Sequence, residues 1–320
     1  MASPTGEKGN LMSGKAKTDT TRSDIYQSVT DKIIEQLEQG VRPWMQPWGA
    51  CGSPIRPLRH NGVAYRGINT VLLWMTAAER GFRSPYWMTY KQAQELKGQV
   101  RKGEKSCLVV YAGAIEKQGE NEHDDGEKRR IPFLKGYSVF CADQIDGLPD
   151  HFYAQAEAPE GAVEKERITA VDEFFANTGA VIREDGSQAF YSPAGDYIQM
   201  PPFSAFVSAE AFATTLAHEG VHWTANRVGR DLSRYSKDRS ERAREELVAE
   251  LGSVFFAADM ALAIEPRDDH AAYIKSWLEV LKGDKRAIIQ AASQAEKAVS
   301  YLHSLQPGQE QSQSEEQLAA

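Results

Sequence analysis

The five residues His218-Glu219-Gly220-Val221-His222 constrain this chain more than any other feature of its sequence. On a helix, residues four apart lie one above the other on one face, so both imidazoles can reach a single cation. Glu219 stands beside them, placed to hold a metal-bound water and take its proton. Composition alone predicts roughly 0.01 occurrences of such a pattern in a chain of this length, so chance is a poor explanation. Flanking Leu216, Val221 and Trp223 give the segment an apolar side, which argues against a solvated helix with an incidental histidine pair.

Catalytic zinc takes three protein ligands and keeps a fourth position open. The segment AREELVAELGSVFFAADM follows, an apolar helix carrying Glu245, Glu246 and Glu250. Glu246 and Glu250 share a face, which makes Glu246 the expected ligand and Glu250 an acceptor for an imidazole N–H, with Glu245 as the competing ligand. Carboxylates on a core-facing helix are costly unless a positive charge compensates them, as Zn2+ would. The hairpin expected at 189–200 could offer an edge strand to a peptide backbone, and Tyr197 and Tyr235 are candidate donors to an oxyanion.

At 320 residues the chain exceeds one ordinary core, so two domains are expected. Its 41% hydrophobic and 26% charged content excludes collagen-like and wholly disordered classes. No apolar run reaches 18 residues and the N-terminus lacks a signal-peptide core, so no membrane partner is expected. Cys51, Cys107 and Cys141 form no CxxC and read as reduced thiols of a cytoplasmic protein.

Charge divides the chain. Residues 151–320 are strongly acidic, whereas residues 40–112 carry 11 basic residues against three acids, Glu79, Glu95 and Glu104. The same window holds four of the six tryptophans, Trp44, Trp48, Trp74 and Trp87. Cations interleaved with aromatic rings suit single-stranded nucleic acid, where phosphates are tracked and bases stack. The expected contacts are Arg42, Trp44, Trp48, Arg59, Tyr65, Arg66, Arg101, Lys102 and Lys105. Core packing accounts better for Trp74 and Trp87, which are flanked by apolar residues.

The predicted fold class is α+β: a mixed N-terminal DNA-binding domain, then a mainly helical zinc domain with a small sheet. A polar leader covers 1–22, the first domain 23–150, an Ala/Glu/Pro-rich linker 151–165, the second domain 166–305 and a Gln-rich tail 306–320. Helices are expected over 23–40, 67–80, 90–96, 167–178, 208–227, 240–264, 268–282 and 284–304. VRKGEKSCLVVYAGAI reads as a hairpin turning at Lys102-Gly103, and 116–130 as a charged loop.

Longer stretches carry a family likeness. DIYQSVTDKIIEQLEQGVRPWMQPW, YRGINTVLL, SPYWMTYKQAQELKGQVRKGEKSCLVVY, VFCADQIDGLP, DYIQMP, TTLAHEGVHWT and REELVAELGSVF together resemble the ArdC-type antirestriction proteins of conjugative plasmids, which are also similar to the N-terminal part of TraC conjugative primases. The resemblance implies a single-stranded DNA-binding domain followed by a zincin-like metallopeptidase domain. It puts the metal ligands on His218, His222 and Glu246 and the base on Glu219, and it implies protection of incoming DNA from host restriction. A second reading has the protein shield DNA, or bind a host restriction endonuclease, around a structural zinc domain without catalysis. A nuclease is disfavoured, because such enzymes prefer carboxylate-rich Mg2+ sites.

Overall fold

The computed structural model describes residues 24–44, 55–117, 129–153, 168–263 and 270–308. Trp48, Cys51, the expected leader, and most of the expected acidic loop, linker and tail lie outside these residues.

Helix α1 (Ile25–Glu38) starts where the Asp24 carboxylate accepts the Tyr26 and Gln27 amides, and it buries Val29, Ile33 and Leu37 at helical spacing. A four-stranded sheet follows in the order β1 (Leu58–Arg59), β2 (Tyr86–Met88), β5 (Arg129–Cys141), β4 (Cys107–Lys117). Helix α2 (Ile68–Arg80) packs on β4 and is registered there by Asn69, whose carboxamide donates to the Val110 carbonyl at 2.8 Å and accepts from the Val110 amide at 2.7 Å. Short helix α3 (Tyr90–Glu95) begins with a Thr89–Gln92 capping box.

The expected hairpin at Lys102-Gly103 is not one. Strand β3 (Gln99–Val100) pairs with β6 (Ile145–Asp146), while β4 pairs with β5 along its whole length, Cys107 opposite Val139 and Lys117 opposite Arg129. An eleven-residue strand finds a matching partner in β5, which a two-residue segment cannot offer.

In the second half, helix α4 (Thr169–Thr178) leads to a three-stranded sheet ordered β7 (Val181–Glu184), β9 (Tyr197–Met200), β8 (Phe190–Ser192). The β8–β9 hairpin matches the sequence expectation. β7, which shows no buried/exposed alternation, does not announce itself in the sequence. Helices α5 (Ala209–Trp223), α6 (Arg239–Asp259), α7 (His270–Gly283) and α8 (Ala287–Ser304) complete the domain. None of the described helices is long and apolar enough to cross a membrane.

The mixed helix and sheet content fits the α+β, two-domain architecture, but one apolar core runs through both halves. Val29, Ile33, Leu37, Trp44 and Trp74 belong to the same cluster as Phe255, Trp277 and Leu302. Polar contacts reinforce this junction. The Arg56 guanidinium is buried, donates twice to Asp259 (2.8 and 3.0 Å) and once to Glu296 (2.9 Å), and lies 4.6 Å over the Phe255 ring. Part of the basic window therefore faces inward.

Candidate metal centre

Helix α5 begins at Ser208, whose hydroxyl accepts the Ala211 amide at 3.0 Å, and every residue from Phe212 to Trp223 is buried. Two glycines allow its close packing. A Cβ on Gly220 would meet the Phe175 ring at 2.7 Å, and one on Gly252 of α6 would meet Val221 at 2.5 Å. The second approach lets α6 run close enough for Glu246 to reach the histidine pair. Glu246 Oε2 lies 3.4 Å from His218 Nε2, and its Oε1 lies 3.8 Å from His222 Nε2. One donor atom from each of His218, His222 and Glu246 falls within 4.8 Å of the others, and all three residues are buried. Glu219 lines the same cavity and is also buried.

Behind the ligands the sequence reading needs correction. Glu250 does not take an imidazole N–H. Its Oε1 pairs with Arg42 Nη1 at 3.0 Å and accepts from the Trp44 indole at 3.4 Å. The partner of His222 is Glu245, with Nδ1 3.0 Å from Oε1. Glu245 is in turn gripped by Arg230, whose Nε and Nη2 each lie 3.1 Å from a carboxylate oxygen; Nη2 also donates to the Val221 carbonyl at 2.5 Å. One helical position separates Glu245 from Glu246, so the two point about 100° apart: one toward the ligand face, the other behind it. Arg230 was missed because no local pattern links it to a residue 15 positions away.

Three carboxylates around two imidazoles make this pocket hungry for positive charge. Burial alone would lower the His222 pKa, but the Glu245 hydrogen bond and the Glu246, Glu245 and Glu219 charges outweigh it and push it up to about 9. Burial alone would raise Glu246, yet its hydrogen bond with His218 and the histidine charges hold it at about 2. Tyr235 donates to Glu246 Oε1. Burial and the Glu246 charge push the Tyr235 phenol well up, so it keeps its proton.

The site opens into a cavity of about 200 Å³, whose lining includes Phe190 and Tyr191 of β8 and Tyr273 and Trp277 of α7. β8 is an outer strand of its sheet. Its hairpin is tied to the end of α5, because Arg227 donates to Asp196 at 2.7 Å and Asp196 accepts from Tyr191 at 3.0 Å. Tyr235 lines the cavity; Tyr197 instead packs its ring under Arg183, 3.8 Å away, and does not line it.

Residues 23–140 match the N-terminal domain of the anti-restriction factor ArdC, and residues 169–294 match a zincin-like metallopeptidase family. The metal-free crystal structure of antirestriction ArdC from plasmid R388 is similar at a TM-score of 0.75 and 48% identity, over 88% of this chain and 97% of that one. The chain belongs to the ArdC antirestriction family. The Mn(II)-bound structure of R388 ArdC agrees at a TM-score of 0.73, again at 48% identity, over 88% of this chain and 98% of that one. The y4eC protein of Sinorhizobium fredii is 40% identical over 91% of this chain and 95% of its own length. DNA primase TraC of Escherichia coli is 33% identical over 92% of this chain, which spans only 28% of TraC. For this ArdC-family chain, two imidazoles and a carboxylate beside an open cavity are the donor set of a zincin-type Zn2+ site.

The residues expected to touch DNA separate into three groups. Trp44 is fully buried and Arg42 is paired with Glu250, which leaves neither a face nor a free charge for a nucleotide. Arg59 and Tyr65, in the second group, lie on one face of the N-terminal sheet, while adjacent Arg66 reaches Glu296 of α8, Nε to Oε1 3.9 Å. Arg59 lies 5.4 Å over the Tyr65 ring, which is itself largely buried, and the Arg66 side chain is 60% exposed. The same strand face continues through Val109 and Val139 to Tyr111, Lys135 and Tyr137, which are exposed, with Lys135 5.3 Å over Tyr137. Lys135 and Tyr137 escaped the sequence reading, although their two-residue spacing on a strand was the available signal. Arg101, Lys102 and Lys105 sit apart, in the turn between β3 and β4, and Arg101 is paired with Glu104 (2.9 Å) and Asp146 (3.3 Å).

Proposed function

We propose that this protein protects incoming DNA by joining a single-stranded DNA surface to a zinc-dependent peptidase site, and that Glu219 is the general base. The convergence of His218, His222 and Glu246 at a cavity shared with Glu219 and the outer strand β8 carries this reading. Zinc in such a site supplies Lewis acidity and lowers the pKa of a water molecule. Glu219 accepts that water's proton and returns it to the departing amine. Tyr235, which stays protonated, is the donor in the cavity for charge growing on the carbonyl oxygen. The free side of β8 aligns an extended peptide by backbone hydrogen bonds.

Metal analysis and peptide cleavage test this directly. The wild-type protein should hold zinc near one per chain and His218→Ala should not. Glu219→Gln should keep the metal and lose cleavage by about 10²- to 10⁴-fold. Zinc-free wild-type protein after loading would end the peptidase reading.

The exposed Tyr111–Lys135–Tyr137 face favours a second reading, a DNA shield that needs no catalysis. Protection of transferred DNA that survives Glu219→Gln undiminished selects it. In gel shifts, single strands should bind more tightly than duplex, with a salt slope of about 0.7 log units per phosphate contacted. Equal affinity for both forms removes base stacking from the account.

A further inference from the structure

Arg42 and Trp44 come from the chain just after α1, yet they end at the back of the metal cavity, with Arg42 reaching a residue 208 positions later. Their common target, Glu250 Oε1, belongs to a side chain that lines the cavity. The Trp44 ring meets Trp277 edge-on at 5.8 Å, and Trp277 stacks on Tyr273 at 6.0 Å with 21° between planes. The aromatic wall formed by Tyr273 and Trp277 therefore rests on a residue of the N-terminal half.

We propose that Arg42 and Trp44 are positioning residues of the metal cavity, and that the cavity they shape takes an aromatic or large aliphatic side chain of a peptide substrate. The proposal rests on the peptidase reading and adds its substrate class. Charge argues for it. An unpaired Glu250 would draw a lysine or arginine side chain, but the Arg42 guanidinium 3.0 Å away balances it. Beyond the metal ligands, Glu219 and the paired Glu250, the lining is mostly aromatic and aliphatic: Phe190, Tyr191, Leu232, Tyr235, Tyr273 and Trp277. Size is compatible, since about 150 Å³ suffices for a benzene ring and this cavity, including the space beside its metal ligands, measures about 200 Å³.

The test uses the full-length, zinc-loaded protein and three hydroxamates measured by calorimetry: acetohydroxamate, 3-phenylpropanohydroxamate and 5-aminopentanohydroxamate. The phenyl probe should bind about 10- to 100-fold more tightly than acetohydroxamate, as burial of one ring predicts. The ammonium probe should gain nothing over acetohydroxamate. Trp44→Ala should cut the phenyl preference about tenfold, with Trp44→Phe restoring part of it. Arg42→Met should turn preference toward the ammonium probe by exposing the Glu250 charge, whereas Arg42→Lys should not. Probe ratios are read in samples whose zinc content is measured, so loss of fold is told apart from loss of selectivity. Equal binding of all three probes to the wild type, or preference for the ammonium probe, overturns the substrate class. Ratios unchanged by Trp44→Ala and Arg42→Met overturn the positioning role. Failure of acetohydroxamate itself to bind zinc-loaded protein strikes the peptidase reading instead.

Discussion

The metal cavity and the β4–β5 face use the same kinds of side chain, tyrosines and cations, to opposite ends. In the cavity three of the carboxylates have fixed partners: Glu245 has Arg230, Glu250 has Arg42, and Glu246 has two imidazoles and Tyr235. On the sheet face, Tyr111 and Tyr137 are more than 40% exposed and Lys135 lies over a ring in water. Buried charges are costly unless matched, so these pairings hold the carboxylates in place around a donor set sized for one small cation. Exposed rings and cations cost nothing while idle, which suits a ligand bound along its length without sequence preference.

The largest effect should fall on the junction between the two regions. Arg56→Ala leaves Asp259 with only His303 and Glu296 with only the more distant Arg66 as cationic partners, and should lower stability to urea by about 3 kcal/mol while leaving a single unfolding transition. Two separate transitions would mean that the shared core does not couple the halves.

A smaller change should sharpen the rigidity of the cavity. Glu245→Gln keeps the shape but weakens the acceptor that orients His222, and should reduce zinc affinity by about 10- to 100-fold in competition with a chelator. An unchanged affinity would show that Arg230 and the helix alone hold the imidazole.

On the open face, Tyr111→Ala or Tyr137→Ala should each weaken single-stranded DNA binding by about 1–3 kcal/mol. Lys102→Ala should weaken binding less and lower the salt slope by about 0.7. Reversal of that order would move the DNA path to the β3–β4 turn.

The mildest test is pH. Metal-free His222 holds an extra proton up to about pH 9, and zinc must displace it. Apparent zinc affinity should therefore rise about tenfold per pH unit between 7 and 9, then level off. A flat profile over that range would show that His222 is already neutral.

Legibility in the sequence followed the range of the interactions. His218, Glu219 and His222 sit within one helical turn, so their spacing alone defines their geometry. Glu246 was reachable because a carboxylate on an apolar helix needs a counter-charge. The division of labour between Glu245 and Glu250 was not, since it depends on Arg230 and Arg42 arriving from elsewhere in the chain. Composition also merged residues that the fold separates. Arg42, Trp44 and Arg56 lie in the same basic, aromatic window as Arg59 and Arg66, but they are turned inward.

What the sequence determined by itself was the set of helices, the β8–β9 hairpin and a histidine pair on one helical face, because each depends on residues a few positions apart. The tertiary structure decided which carboxylate meets which cation, which aromatics face water, and that β4 pairs with β5 and not β3. Those outcomes depend on how closely α5 and α6 can pack and on where distant segments dock, and neither is written in local spacing.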